Sequence, residues 1–247
     1  MTAQGSYHRK LDRGPIPSRI EGPAVKARLV DAIDSTREAI IRVADETWAS
    51  ASDASRWDDW NLRDVVCHIN AWTTFCCQRL RAIAAGATTV ESVDVERFNL
   101  DTYRSHRSTL LSRALSESTR VLDALGDTVQ HVSASLLIRS DQAIGTLAPL
   151  WRYVACDGFA HPTKHLLFHC LKGRRLSLFY SLQREASPRF RWYAPRDKRA
   201  PFRFREFFST RDDCTIFFEN LRPTINTEAQ REIWEDILLA SLREGSA

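Results

Sequence analysis

Asp157-Gly158-Phe159-Ala160-His161-Pro162-Thr163-Lys164-His165-Leu166-Leu167-Phe168-His169 sets three histidines four residues apart in an apolar run. On a helix such residues stack on one face. Two imidazoles so placed can share one metal ion, which then needs a third ligand from elsewhere in the chain. The best-placed partner is His68, in Val65-Val66-Cys67-His68-Ile69-Asn70-Ala71-Trp72. His169, a turn past His165, reads as a neighbour of the pair and not as a ligand. The stretch therefore asks for a helix, and its chemistry asks for a second helix packed against it.

The helix that carries the pair is predicted from about Leu147 to Leu171, with Gly173 ending it. Pro162 lies inside. It lacks an amide hydrogen and crowds the carbonyl of Gly158, so a kink or restart is expected near 158–162. The helix that carries His68 is capped by Asn61, with Asp64 in its first turn. Leu62, Val65, Val66, Ile69, Trp72, Cys76, Leu80 and Ile83 give it a broad apolar face, with His68 at the edge, and Gly86 ends it. Upstream, Pro23 suits a first turn, and Val25, Leu29, Ile33, Ile40 and Val43 form one stripe, predicting a helix over 24–46. Residues 48–59 are a polar connection. Residues 87–106 are a crossover with some helix. A further helix, capped by Ser108 and closed by Gly126, carries Leu111, Ala114, Leu115, Ser118, Val121, Leu122 and Leu125. Residues 127–145 read either as a strand or as an irregular return. Four such helices predict an all-α fold, an antiparallel four-helix bundle over 23–173, after a polar Gly/Pro-rich tail at 1–22.

Past Gly173 the pattern changes. Arg189-Phe190-Arg191-Trp192-Tyr193 and Phe202-Arg203-Phe204-Arg205-Glu206-Phe207-Phe208 alternate basic and aromatic side chains, and Thr215-Ile216-Phe217-Phe218 reads as a short strand or buried turn. Thr227-Glu228-Ala229-Gln230 matches a capping box before an amphipathic helix with Ile233, Trp234, Ile237, Leu238 and Leu242. Residues 174–247 are thus a C-terminal extension, expected to pack on the bundle through that last helix.

With 247 residues, 43% apolar and 27% charged, the chain can bury a sizeable core. No apolar run approaches the ~20 residues of a membrane span, and the N-terminus lacks the apolar stretch of a signal peptide. The six cysteines lack disulfide-scaffold spacing, and Cys67, Cys76, Cys77, Cys156 and Cys170, in apolar helical stretches, read as reduced core thiols, so a cytoplasmic location is expected. The net charge of +4 is uneven: Arg174 to Arg211 holds eleven Lys or Arg against three acids. That segment could follow a nucleic-acid backbone, with Arg191, Arg203 and Arg205 as contacts, or cover a flank with arginine stems. Trp72 and Trp151 are aromatic candidates for a substrate pocket. Asn99 and Tyr103, polar groups in the crossover, are candidates to line its mouth, Tyr103 as a general acid. Cys67 adjoins His68, but neighbours on a helix point about 100° apart, so it reads as a packing thiol.

Trp60-Asn61-Leu62-Arg63-Asp64-Val65-Val66-Cys67-His68-Ile69-Asn70-Ala71-Trp72 resembles the helix-2 signature of the DinB-like four-helix-bundle superfamily. Phe98-Asn99-Leu100-Asp101-Thr102-Tyr103 is similar to the subgroup that includes colibactin self-protection proteins, and Asp157 to His165 is similar to the superfamily's helix-4 motif. The match covers roughly 24–172. The resemblance implies an up-down-down-up bundle with a divalent metal on one helix-2 and two helix-4 histidines, here His68, His161 and His165, with zinc, nickel or iron as the ion. It also implies small-molecule chemistry: a hydrolase or thiol-dependent transferase, with a possible thiol cosubstrate, acting on an electrophilic metabolite through metal-bound water or thiolate. The self-protection subgroup implies an alternative, metal-free binding or hydrolysis of a DNA-damaging compound, a resistance function. Bundles of this kind often form homodimers. Pro162 directly after His161, and the long extension, depart from the family pattern.

Overall fold

A computed structural model of the chain describes residues 22–47, 60–87, 92–139, 149–193, 204, 207–208 and 210–242. Among these, every regular element is helical. The chain divides into two compact units between Leu166 and Leu167.

In the first unit, α1 (Gly22–Thr47) and α2 (Leu62–Ala84) both pack on α4 (Leu111–His131) and on a π-helical turn, Cys156–Ala160. That turn joins α6 (Leu150–Ala155) to α7 (His161–Lys172). The short α3 (Val95–Ser105) lies on α2, and α5 (Ala134–Ile138) on α1 and α6. The stripe predicted for α1 forms the core: Val25, Leu29, Ile33, Ile40 and Val43 are buried. Each such side chain contributes about 1.5–3 kcal/mol by leaving water. One position in that stripe, Thr36, is polar and still only 1% exposed. Its use becomes clear at the π turn.

α2 starts as its sequence predicts. The Asn61 side chain accepts the amide of Asp64, and the Asp64 carboxylate accepts the amide of Asn61, a complete capping box. Gly86 follows the helix at φ 98°, a conformation in which a side chain would be strained. α2 and α4 are tied by a buried polar link: Asn70 donates to the Ala114 carbonyl at 2.9 Å and accepts from Ser118 at 2.7 Å.

The structure corrects three readings in this unit. Helix α4 begins at Leu111 with Leu110, not Ser108, at its cap, and it runs through Gly126 to His131. Glycine inside a helix costs about 1 kcal/mol. Val129 and Thr128, both buried, hold the extra turn: Thr128 accepts from Arg81 Nε at 3.1 Å and lies 3.2 Å from Cys77 Sγ. Within 127–145 the described part is neither strand nor irregular, since Ser133 caps the helical turn α5 by accepting the Leu136 amide. Residues 140–148 lie outside the described part.

The second unit contains α8 (Leu176–Tyr193), α9 (Arg211–Leu221), a 3₁₀ turn Arg222–Thr224, and α10 (Glu228–Leu242). Thr215 to Phe218, read as a strand or turn, is helical in α9. Thr210 caps that helix by accepting the Asp213 amide, and Cys214, Phe218 and Leu221 put one face inside. The alternation at 189–193 ends α8, where Phe190 and Tyr193, three apart, are buried together. Three-residue spacing on a helix puts side chains on one face, which a strand-like alternation would not. α10 packs on α9, with Trp234 4.9 Å from the Phe218 ring. Its start is half as read: Thr227 accepts the Gln230 amide, but Gln230 reaches back to the amide of Asn226 instead of Thr227. All six cysteines are buried.

Candidate metal centre

The π turn builds this site. In it the amide of His161 bonds to the carbonyl of Cys156, five residues back. The predicted kink at 158–162 is therefore a widened turn, a common way for a helix to absorb a local fault. The fault is Pro162. In a regular helix the amide of residue 162 would satisfy the carbonyl of Gly158, and proline has none. The Gly158 carbonyl is met instead by the hydroxyl of Thr36 on α1, at 2.9 Å. The same hydroxyl lies 3.1 Å from its own Ala32 carbonyl. Glycine suits position 158, because an added Cβ would stand 3.0 Å from Leu125 and 3.2 Å from Ile33 and would have to push those side chains back. Helix α1 thus approaches the turn closely and holds it.

That arrangement delivers His161 and, one turn on, His165 to the face of α2 that carries His68. His161 Nε2 lies 3.0 Å from His68 Nε2 and 2.9 Å from His165 Nε2. One ring nitrogen of each residue lies within 4.8 Å of those of the other two. All three are buried, at 2%, 9% and 4% exposure for His68, His161 and His165. His169 is not part of the cluster.

Hydrogen bonds alone do not account for this convergence. A ring nitrogen of a neutral imidazole has either one N–H or one lone pair. His161 Nε2 makes two short contacts with like atoms and can satisfy only one of them fully. A cation at the meeting point would use all three lone pairs at once. Zinc–imidazole bonds of ~2.05 Å at tetrahedral angles separate the nitrogens by ~3.3 Å, a few tenths more than the two contacts of His161. The buried triad can therefore hold a metal ion after a slight spreading of the rings.

Electrostatics favour the ligand form. Burial, and then the neighbouring His161, push His68 well below the usual imidazole value of 6.5. Burial, then His68 and Lys164, do the same to His165. Both rings stay neutral in water near pH 7, with lone pairs to give.

Aromatic side chains wall the cluster. Trp60 meets His68 edge-on at 5.1 Å, and Trp72 lies 6.4 Å from His68 and 6.1 Å from His161. α3 supplies the next layer. Asn99 accepts from Trp72 Nε1 at 2.9 Å, Phe98 packs on Trp72 at 4.6 Å, and Tyr103 stacks on Trp60 at 5.9 Å. The structure thus brings His68, His161, His165, Trp72, Asn99 and Tyr103 to one place. Trp151 is a buried side chain of α6. Arg191 falls in α8, and Arg203 and Arg205 lie outside the described residues.

Three participants were missed in the sequence reading. Trp60 closes the polar linker and precedes the cap of α2, the position from which an apolar residue folds back over the first turn; that spacing was a usable signal. Phe98 lies beside Asn99 on α3. Thr36 showed only as a break in the α1 stripe.

The buried histidines also set an acid response. The unfolded chain holds more protons than the folded one on His68, His165 and His169, the last depressed to about 4 mainly by burial. Asp157, pushed up to about 7 by burial, opposes this by one proton. Between about 4 and 6.5 the unfolded state thus binds the excess, and stability falls as pH drops through that window. Each uncompensated proton is worth about 1.4 kcal/mol per pH unit. Denaturant midpoints of the metal-free chain, followed from neutral pH downward, should decline; a midpoint that rises on acidification contradicts the buried neutral histidines.

A scan of protein-family models, a search of curated proteins and a search of solved structures find nothing that matches this chain. No helix among the described residues is long and apolar enough to cross a membrane.

Proposed function

We propose that the chain is a DinB-like bundle that binds one divalent metal through His68, His161 and His165 and acts on a small electrophilic molecule, as a hydrolase or a thiol-dependent transferase. The observation that carries this reading is the meeting of three buried Nε2 atoms at His161, which hydrogen bonding cannot satisfy in full. Two of the three come from an HxxxH pair and the third from a helix 93 residues away in sequence. A divalent ion there would polarise a water molecule or a thiol and make it a nucleophile near neutral pH. The all-imidazole set suits zinc, nickel or iron, and affinity order alone does not choose among them.

The residues around the cluster have separate tasks in this reading. Trp60 and Trp72 keep water away from the imidazoles, which strengthens their hold on a cation. Asn99 fixes the Trp72 ring through its indole N–H. Trp60, Trp72, Phe98 and Tyr103 offer an apolar wall for the carbon skeleton of a substrate, with Tyr103 a candidate for donating a proton to a leaving group.

The aromatic wall also favours a second reading, in which the same site binds or hydrolyses a reactive DNA-damaging compound without metal. Elemental analysis decides between the two. About one zinc, nickel or iron per chain is expected after purification or reconstitution. Its removal by a chelator should lower the melting temperature, since a ligand at a hundred times its Kd adds about 2.7 kcal/mol. A chain that takes up none of the three ions sinks the metal reading and leaves the metal-free one.

A further inference from the structure

Upstream of His161 and further along α2, the interior of the first unit holds a second group of polar side chains that the metal reading does not use. Asp157 lies one turn before His161, in the π turn, and is 2% exposed. Tyr153, a turn earlier, is 1% exposed. From α2, Thr73 is fully buried, Cys76 is fully buried, and Arg79 reaches over the Phe75 ring at 4.1 Å with its guanidinium 6.0 Å from the Tyr153 ring. Arg79 is half-buried, so this end of the group meets solvent.

These groups are poorly served by one another. Oδ2 of Asp157, the Tyr153 hydroxyl and the Thr73 hydroxyl are buried without a properly formed hydrogen bond. Most buried polar atoms in folded proteins have one, and each that does not costs about 1–3 kcal/mol. A carboxyl kept there at such a cost suggests a use, because an apolar side chain in the same space would stabilise the fold.

We propose that Asp157 holds the proton given up by a water molecule or thiol at the histidine site and passes it outward past Tyr153 to solvent beside Arg79. The inference rests on the metal reading. In the step, the O–H or S–H bond breaks and leaves its electron pair on oxygen or sulfur. The proton bonds to Oδ2 of Asp157, and the carboxylate becomes neutral. Loss of that proton to solvent restores the carboxylate. No electron is transferred. Arg79 cannot itself give up a proton, so its part is to favour the ionised carboxylate and to mark the exit.

The surroundings suit a group that takes up and releases a proton near neutrality. Burial pushes Asp157 up to about 7, against the smaller opposing effects of Tyr153, Arg79 and Cys156. From α2 the titratable groups that face it are Cys76 and Arg79; Cys76 is itself held protonated, first by burial and then by Asp157. α1 meets the turn with Ile33 and Thr36, neither of them titratable, and α5 (Ala134–Ile138) has no ionisable residue. The histidines cannot serve instead, since protonation would take the lone pairs that bind the ion.

The test uses the full chain loaded with Zn²⁺ or Co²⁺, comparing wild type with Asp157→Asn and Asp157→Glu. Infrared difference spectra across neutral pH should show a protonated-carboxyl band that titrates in wild type and vanishes in Asp157→Asn. Zinc content should stay equal in the two. In the cobalt-loaded protein, the pH midpoint of the visible spectrum should move by about half a unit or more in Asp157→Asn and return toward wild type in Asp157→Glu. If the band persists in Asp157→Asn, or the cobalt midpoint does not move, the proton role is overturned while the metal reading stands. Loss of zinc in Asp157→Asn that keeps its helical spectrum would make Asp157 a support of the site and also overturn it. A wild type that takes up neither ion removes the metal reading and this inference together.

Discussion

His161→Ala should lower metal affinity by at least about 100-fold, and His68→Ala and His165→Ala should follow it. Complete sites with four protein ligands gain about 10–16 kcal/mol from the ion, so one ligand carries ~3 kcal/mol, and each ~1.4 kcal/mol is tenfold. His161 should show the largest loss, because its Nε2 is in short contact with both partners. Without it, His68 and His165, whose rings stand 4.6 Å apart on separate helices, leave the ion only two imidazoles. The metal-free variant also has a cavity where a buried ring stood, so His161→Gln, closer in volume, is the fair control for folding. Calorimetric titration with Zn²⁺, with circular dichroism on the same samples, measures both. Wild-type affinity in a folded His161→Ala would mean that the ion, if any, binds elsewhere.

Thr36→Val should destabilise the chain by about 1–3 kcal/mol although it changes almost no volume. The substitution removes the donor that serves the Gly158 carbonyl, in a place where α1 packs too closely for water to replace it. Thr36→Ser keeps the hydroxyl and should lose far less. The cost should also depend on Pro162. Pro162→Ala restores an amide hydrogen that can bond to the Gly158 carbonyl, so Thr36→Val should cost less in that background than in wild type. The difference is a coupling energy, readable from denaturant midpoints of the four proteins. Strictly additive effects would show that Thr36 acts through its Ala32 bond alone. Because the same turn presents His161, Thr36→Val should also weaken metal binding in protein that remains folded.

The two variants mark different depths of legibility. His161 and His165 could be read as a pair because a helix repeats every 3.6 residues, and residues four apart are neighbours wherever the helix ends up. The cap at Asn61 and the stripes of α1 and α2 were readable for the same reason: each depends on a few adjacent residues. Where the signal was local but weak, the reading failed. Gly126 looked like a helix end because its intrinsic cost points that way, yet Val129 and Thr128, gripped by α2, outweigh it. Thr215 to Phe218 looked like a strand because β-branched and aromatic residues favour one, yet the cap at Thr210 and the buried face of α9 prevail.

By itself, then, the sequence determined the helical class of the chain, the start of α2 at its Asn61 cap, and the presence of an imidazole pair with His68 as its natural third. Tertiary structure alone decided the rest: the π turn that aims His161, and the hydroxyl on α1 that replaces the hydrogen bond Pro162 cannot make. A proline reveals that a carbonyl will lack its usual partner, but not which residue will supply a new one. Thr36 lies 122 residues from Gly158 in sequence, and only the packing of α1 against the turn brings the two within reach.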